Sequence, residues 1–227
     1  VGLFDGLWAT HRWRGLGVPA FLLDVTWGLG GNTNAVLMHL INFAWGDHAD
    51  DPADEWSGGE QETHRNAHRY RSGSRLRETF AFTQGAVMSN MGSEGPSSRL
   101  FRHENIHVWQ NRLLGPFFWF SYFGWMAVTF LPSLVAGLVD GKRRVADAIQ
   151  WWTYFNNPWE VVAYGIANPD GRDSQNFLNG DPIEGWVCWP WPLAIALASV
   201  GGAALLVLFI VIFAAGLIAI PQLPISE

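Results

Sequence analysis

Ser97-Ser98-Arg99-Leu100-Phe101-Arg102-His103-Glu104-Asn105-Ile106-His107-Val108-Trp109-Gln110 is the stretch on which the reading of this chain turns. Ser97 or Ser98 can cap a helix near its start, because a hydroxyl there accepts from an otherwise unmet backbone N–H. On a helix, side chains four residues apart lie on one face, one turn from each other. His103 and His107 have that spacing, so their imidazoles can share a tetrahedral zinc ion. Glu104 follows the first histidine and can hang over the metal without binding it, where it can take a proton from a zinc-bound water. Gln110 lies on the same helix face, three residues past His107, and either it or Asn111 can orient a ligand imidazole from behind.

A third protein ligand has to come from elsewhere. The sixth residue after His107 is Leu113, which excludes a third histidine at that spacing. The only glutamate between Glu104 and Glu184 is Glu160, in Asn156-Asn157-Pro158-Trp159-Glu160-Val161-Val162-Ala163-Tyr164. This reads as a helix start, with Asn157 as N-cap, Pro158 at the first helical position and Glu160 at the third. Glu160 thus has two competing roles, the acid of a capping box or the third metal ligand. The metal role is the expectation, with the second helix packing back on the first. Upstream, Thr79–Met91 mixes alternating apolar positions with β-formers and reads as a strand, bulged at Gly85.

Together, His103-Glu104-x-x-His107, Glu160-x-x-Ala163-Tyr164 and the strand before them resemble the gluzincin branch of zinc metallopeptidases. The resemblance implies an α+β, zincin-like domain whose strand borders the cleft and holds a peptide or protein substrate extended. It implies Zn2+ held by His103, His107 and Glu160, with water in the fourth position. Glu104 would be the general base, passing its proton on to the leaving nitrogen. Tyr164 is the first candidate for the oxyanion partner, followed by Tyr154 and Tyr122.

From Leu193 to Ile220 the chain carries no charge, and Ser199 is its only polar side chain. About 20 helical residues cross a bilayer core, so this run is long enough to span. Trp186, Trp189 and Trp191 precede it as an aromatic belt, and Gly201-Gly202 within it would allow close helix approach. A second uncharged run, Leu113–Val139, is interrupted by Gly115-Pro116 and Pro132 and crowded with aromatic residues. A single crossing there would put His107 and Glu160 on opposite sides of the membrane. The zinc reading therefore expects the run to stay on one side, as a re-entrant or interfacial hairpin or as core, with Lys142-Arg143-Arg144 meeting headgroups.

Composition agrees with a membrane setting. Of 227 residues only 15% are charged, 49% are hydrophobic and 14 are Trp. Disorder is excluded by the apolar content, and the net charge of −6 argues against nucleic-acid partners. A single cysteine, Cys188, rules out an internal disulfide and a cysteine-rich metal cluster. Val18–Val25 is short and contains Asp24, so it does not read as a signal peptide. The first 45 residues are apolar, with turn signals at Gly28–Asn34 and a short buried helix expected over Ala35–Trp45. The acidic stretch 46–62 lacks the alternating ligand spacing of a calcium loop and reads as a solvated loop, followed by a basic stretch from Arg65 to Arg77. His64 and His68 read as an exposed polar pair on a strand.

The expected organisation is a zincin-like, membrane-associated domain over 1–185, a Trp-rich belt and single transmembrane helix over 186–221, and a tail over 222–227. The expected partners are the lipid bilayer, a peptide or protein substrate and other membrane subunits. The competing reading is a non-catalytic accessory or structural subunit of a membrane complex, using the same fold as an interaction platform.

Overall fold

The computed structural model describes residues 16–45, 67–70, 80–92, 98–140, 144–167 and 191–219. The acidic stretch 46–62, His64, Lys142-Arg143, Trp186, Trp189 and the tail 222–227 lie outside the described residues. In chain order the elements are α1 (Gly17–Val25), α2 (Leu29–Trp45), β1 (His68–Arg69), β2 (Phe82–Gln84), β3 (Val87–Ser89), α3 (Arg99–Leu114), α4 (Pro116–Asp140), α5 (Val145–Gln150), a π-helical turn (Trp151–Phe155), α6 (Pro158–Ala167) and α7 (Trp191–Ala219). The described chain is mostly helical, with one small sheet. It divides into two compact units, residues 1–118 with 159–186, and residues 119–158 with 187–227.

The first unit is organised around the sheet, in order β1-β3-β2, with β1 parallel and β2 antiparallel to β3. The single bulged strand expected over Thr79–Met91 is instead a hairpin. Phe82 pairs with Ser89, Thr83 with Met88 and Gln84 with Val87, leaving Gly85-Ala86 as a two-residue loop. Gly85 has φ +55°, and a Cβ there would stand 2.4 Å from the Asn32 side-chain oxygen, so turn geometry and close approach both demand glycine. The two faces of β3 then part. Val87 packs with Ala35 of α2, while Met88 packs with Phe101 and Val108 of α3. Thr83 pairs with Met88 and therefore also faces α3.

Of the segment Gly28–Asn34, which reads as a turn, Gly28 closes a turn after α1, and Leu29 onward opens α2 instead. Within the helix, Gly31 is there for packing. A Cβ on Gly31 would lie 1.8 Å from the Asn111 side-chain oxygen of α3. α2 is also not the buried helix expected over Ala35–Trp45, since Leu37 and Leu40 are exposed while Asn32 and Asn42 are buried. Across the same interior, Arg112 of α3 grips Asp24 of α1 through two bonds, Nε to Oδ1 at 2.8 Å and Nη2 to Oδ2 at 2.6 Å.

The run Leu113–Val139, most of which belongs to the second unit, is not broken at Pro132. It lies within α3's last turn and α4, a continuous helix of 25 residues with Pro132 inside it. α5 and the π-helical turn fold back along α4. A Cβ on Gly137 would touch Val145 and Ala148, Trp125 Nε1 donates to Trp152 O at 3.0 Å, and Asn157 Nδ2 donates to Tyr122 O at 3.2 Å. α4 and α7 meet backbone to backbone, where a Cβ on Gly124 would be 2.2 Å from Gly202 N and one on Gly201 2.1 Å from Gly124 O. Among the described residues two helices, Pro116–Asp140 and Ala196–Ala215 within α7, are long and apolar enough to cross a membrane, against the one expected.

Candidate metal centre

α3 begins at the Ser98 cap, whose Oγ accepts from Phe101 N at 3.0 Å. From there the four-residue spacing works as geometry requires. His103 and His107 are both buried, with Nε2 atoms 3.1 Å apart. α6 starts at Pro158 and brings Glu160 to them, Oε2 lying 3.2 Å from His103 Nε2 and Oε1 3.3 Å from His107 Nε2. The competition over Glu160 thus ends with its carboxylate at the imidazoles. One candidate ligand atom from each residue lies within 4.8 Å of the others, and this trio is the group of that kind among the described residues.

Those separations have a simple meaning. A tetrahedral zinc ion with arms of about 2.05 Å holds its ligand atoms about 3.3 Å apart. The three edges measured here are 3.1, 3.2 and 3.3 Å. The protonation of His107 follows from its neighbour. The Trp159 carbonyl can only accept, so the Gln110 amide presents its NH2 there, at 2.9 Å. That leaves Gln110 Oε1 facing His107 Nδ1 at 2.8 Å, so Nδ1 carries a proton and Nε2 is the nitrogen turned to Glu160 and His103. Gln110 therefore fixes the imidazole and ties α3 to the start of α6, the helix that carries Glu160. Of the two orienting residues considered, Asn111 lies against Gly31 instead.

The electrostatics fit a cation site. Burial works against charge at His107, but the Glu160 carboxylate more than offsets it, helped by Glu104 and Gln110, and holds the imidazole up at about 9. Burial likewise opposes charge on Glu160, and the two histidines overcome it, holding this carboxyl well below the usual carboxylate range. A protonated His107 thus supplies positive charge beside the Glu160 carboxylate.

Glu104 is buried beside this group, close enough for its charge to act on His107. Its Oε2 accepts a 2.6 Å hydrogen bond from Thr83 Oγ1 on β2. Tyr164, one turn beyond Glu160, lays its ring on His103 with centroids 4.3 Å apart. Phe118 touches both His107 and Trp159, with centroids 6.4 and 6.3 Å apart. Tyr122 and Tyr154 belong to the second unit. Thr83 was not legible as a site residue, because its direction depends on the hairpin register. No protein-family model, curated protein or solved structure matches the chain.

Proposed function

We propose that this chain is a membrane-integrated, zinc-dependent peptidase with a gluzincin-like centre on a zincin-like domain. The observation that carries the reading is the buried triangle of two Nε2 atoms and one carboxylate, whose edges match those of a tetrahedral ion. His103, His107 and Glu160 hold the metal. A bound zinc ion supplies Lewis acidity and brings a water's pKa towards about 7. Glu104 takes the proton from the attacking water and delivers it to the leaving nitrogen. Thr83 holds the Glu104 carboxylate in place. Tyr164 walls His103 and is the tyrosine candidate for the oxyanion partner.

The membrane part of the proposal rests on exposure. α4 and α7 are apolar but mostly unburied, unlike the core helices of water-soluble proteins, and their outward residues include Phe130, Leu131, Val207 and Phe213. α3 grades from exposed Arg99 and Arg102 at its start to Leu113, 66% exposed, at its end. His107 lies between them, which favours a centre near the interface.

A second reading has its own support. Both histidines, Glu160, Glu104 and Tyr164 are all buried, and Glu104 is committed to Thr83. Such closure suits a metal that stabilises a non-catalytic subunit. Elemental analysis of purified protein, followed by peptide-cleavage assays of Glu104→Gln, separates the readings. The peptidase reading expects one zinc per chain in both forms and turnover only in the wild type. Zinc without turnover in the wild type favours the structural subunit, and absence of stoichiometric metal refutes both.

A further inference from the structure

We propose that α1 and α2 form a helical hairpin embedded in lipid, with its outward face among acyl chains. The hairpin is inside out. Between residues 16 and 42 the only Asp, Glu, Lys or Arg is Asp24. It is 1% exposed and paired with Arg112. Asn32 is fully buried, accepting from Ala86 N at 2.9 Å and donating to Asp24 O at 3.1 Å. Asn42, equally buried, donates to Ser89 Oγ at 2.8 Å. The outward positions carry Leu16, Val18, Leu22, Trp27, Leu37 and Leu40, each between 40% and 58% exposed. A helix pair at home in water is patterned the other way, with its apolar stripe inside and its polar face outside.

Two observations select lipid as the occupant of this face. First, the outward hydroxyls do not depend on water, since Thr26 Oγ1 donates to Leu22 O and Thr33 Oγ1 to Leu29 O. Asn34 is the outward exception on α2. Second, the face continues into α4. Trp27 Nε1 donates to Leu113 O at 3.0 Å, satisfying a carbonyl at the end of α3, and its ring lies 5.7 Å from that of Phe117 in the first turn of α4. Leu113 and Phe117 are themselves exposed. One apolar surface therefore runs from the hairpin across the α3–α4 corner to the first turn of α4. Buried Asp24 and Arg112 then form the polar interior of a membrane element, as charges at membrane depth do when they face inward and pair.

The inference does not depend on the metal, but shares with the proposed function the insertion of α4 and α7. Nitroxide labels on single cysteines test it, in full-length protein carrying Cys188→Ser and reconstituted into phosphatidylcholine–phosphatidylglycerol vesicles. Leu22→Cys, Leu37→Cys and Leu40→Cys report the hairpin, Val207→Cys reports α7, and Arg102→Cys reports water. The expected result is that the three hairpin labels match Val207→Cys, open to dissolved oxygen and several-fold less accessible to a water-soluble nickel chelate than Arg102→Cys. Nickel accessibility like that of Arg102→Cys, with Val207→Cys still in lipid, overturns this proposal alone. Exclusion of both reagents shows a protein cover, a second copy or another subunit, and also overturns it. Nickel access at Val207→Cys overturns the membrane reading as a whole.

Discussion

Gln110→Leu isolates the orienting role of one side chain at nearly constant volume. Gln110 makes two bonds that matter, Oε1 to His107 Nδ1 at 2.8 Å and Nε2 to Trp159 O at 2.9 Å. Leucine removes both, leaving an imidazole N–H and a backbone carbonyl without these partners in a buried place. Each such loss costs about 1–3 kcal/mol of fold stability. The effect on metal binding is separable. Losing an outer partner of a ligand histidine typically costs about 10- to 100-fold in affinity, equivalent to about 1.4–2.7 kcal/mol. Zinc affinity measured by chelator competition on detergent-solubilised protein is therefore expected to fall by one to two orders of magnitude. Gln110→Glu restores an acceptor for Nδ1–H but turns a second acceptor on the Trp159 carbonyl, so its affinity should fall between wild type and Gln110→Leu. Affinities within about twofold of wild type for both variants, with the fold intact by circular dichroism, would refute the orienting role.

Three further outcomes follow from other parts of the molecule. Asp24→Asn leaves buried Arg112 without its counter-charge and should lower unfolding free energy by about 3–5 kcal/mol, whereas Asp24→Leu with Arg112→Met should cost less than Asp24→Asn alone; denaturant titration decides. In metal-free protein the raised His107 pKa means that its pairing with Glu160 stabilises the fold below the imidazole's ordinary value and is lost as pH rises through about 9. Because coordination must displace that proton, apparent zinc affinity should rise about tenfold per pH unit from neutrality towards about 9 and then level off; a flat profile sinks the argument. Gly124→Leu places side-chain atoms where the Gly201-Gly202 backbone lies and should destabilise the α4–α7 pair by about 1–3 kcal/mol in thermal melts while zinc content stays at wild-type level.

The residues that meet at the centre were legible because helical periodicity is local. His103 and His107 share a face for reasons contained within five residues, and the Pro158 start fixes where on α6 Glu160 sits. Gln110 was legible for the same reason. What stayed hidden depends on distant partners. Gly28–Asn34 has the composition of a turn, and the approach of Asn111 from α3 explains why Gly31 stands within a helix. The hairpin at Gly85-Ala86 was hidden by a stretch that alternates on both sides of it, so one strand and two strands share a pattern. Asp24 read only as a break in an apolar segment, because its partner Arg112 lies 88 positions further along the chain. The outward apolar face of α1–α2 escaped because Ala35–Trp45 reads as a buried helix, whereas Leu37 and Leu40 point outward and Asn42 inward.

The apparent conflict between a crossing α4 and a shared metal site dissolves when the return path is counted. The run 113–139 is too short to cross twice, since each pass takes about 20 residues. The chain from Pro116 to Glu160 is not. α4 alone has 25 residues, and at a rise of about 1.5 Å it is about 37 Å long, against about 30 Å of hydrocarbon. Twenty more residues lead from Asp140 to Glu160, enough for about 30 Å of helical return. The contacts of Val145 and Ala148 with Gly137, of Trp152 with Trp125 and of Asn157 with Tyr122 are those of a chain descending along α4. Asp140, Arg144 and Asp147, all exposed, mark a polar end where the direction reverses. If α4 crosses, Asp140→Cys and Arg102→Cys in sealed vesicles should react with a membrane-impermeant maleimide from opposite sides. Labelling of both from the same side would refute the crossing and leave α4 lying in the plane of the membrane, with Glu160 reaching the histidines without any passage through the bilayer.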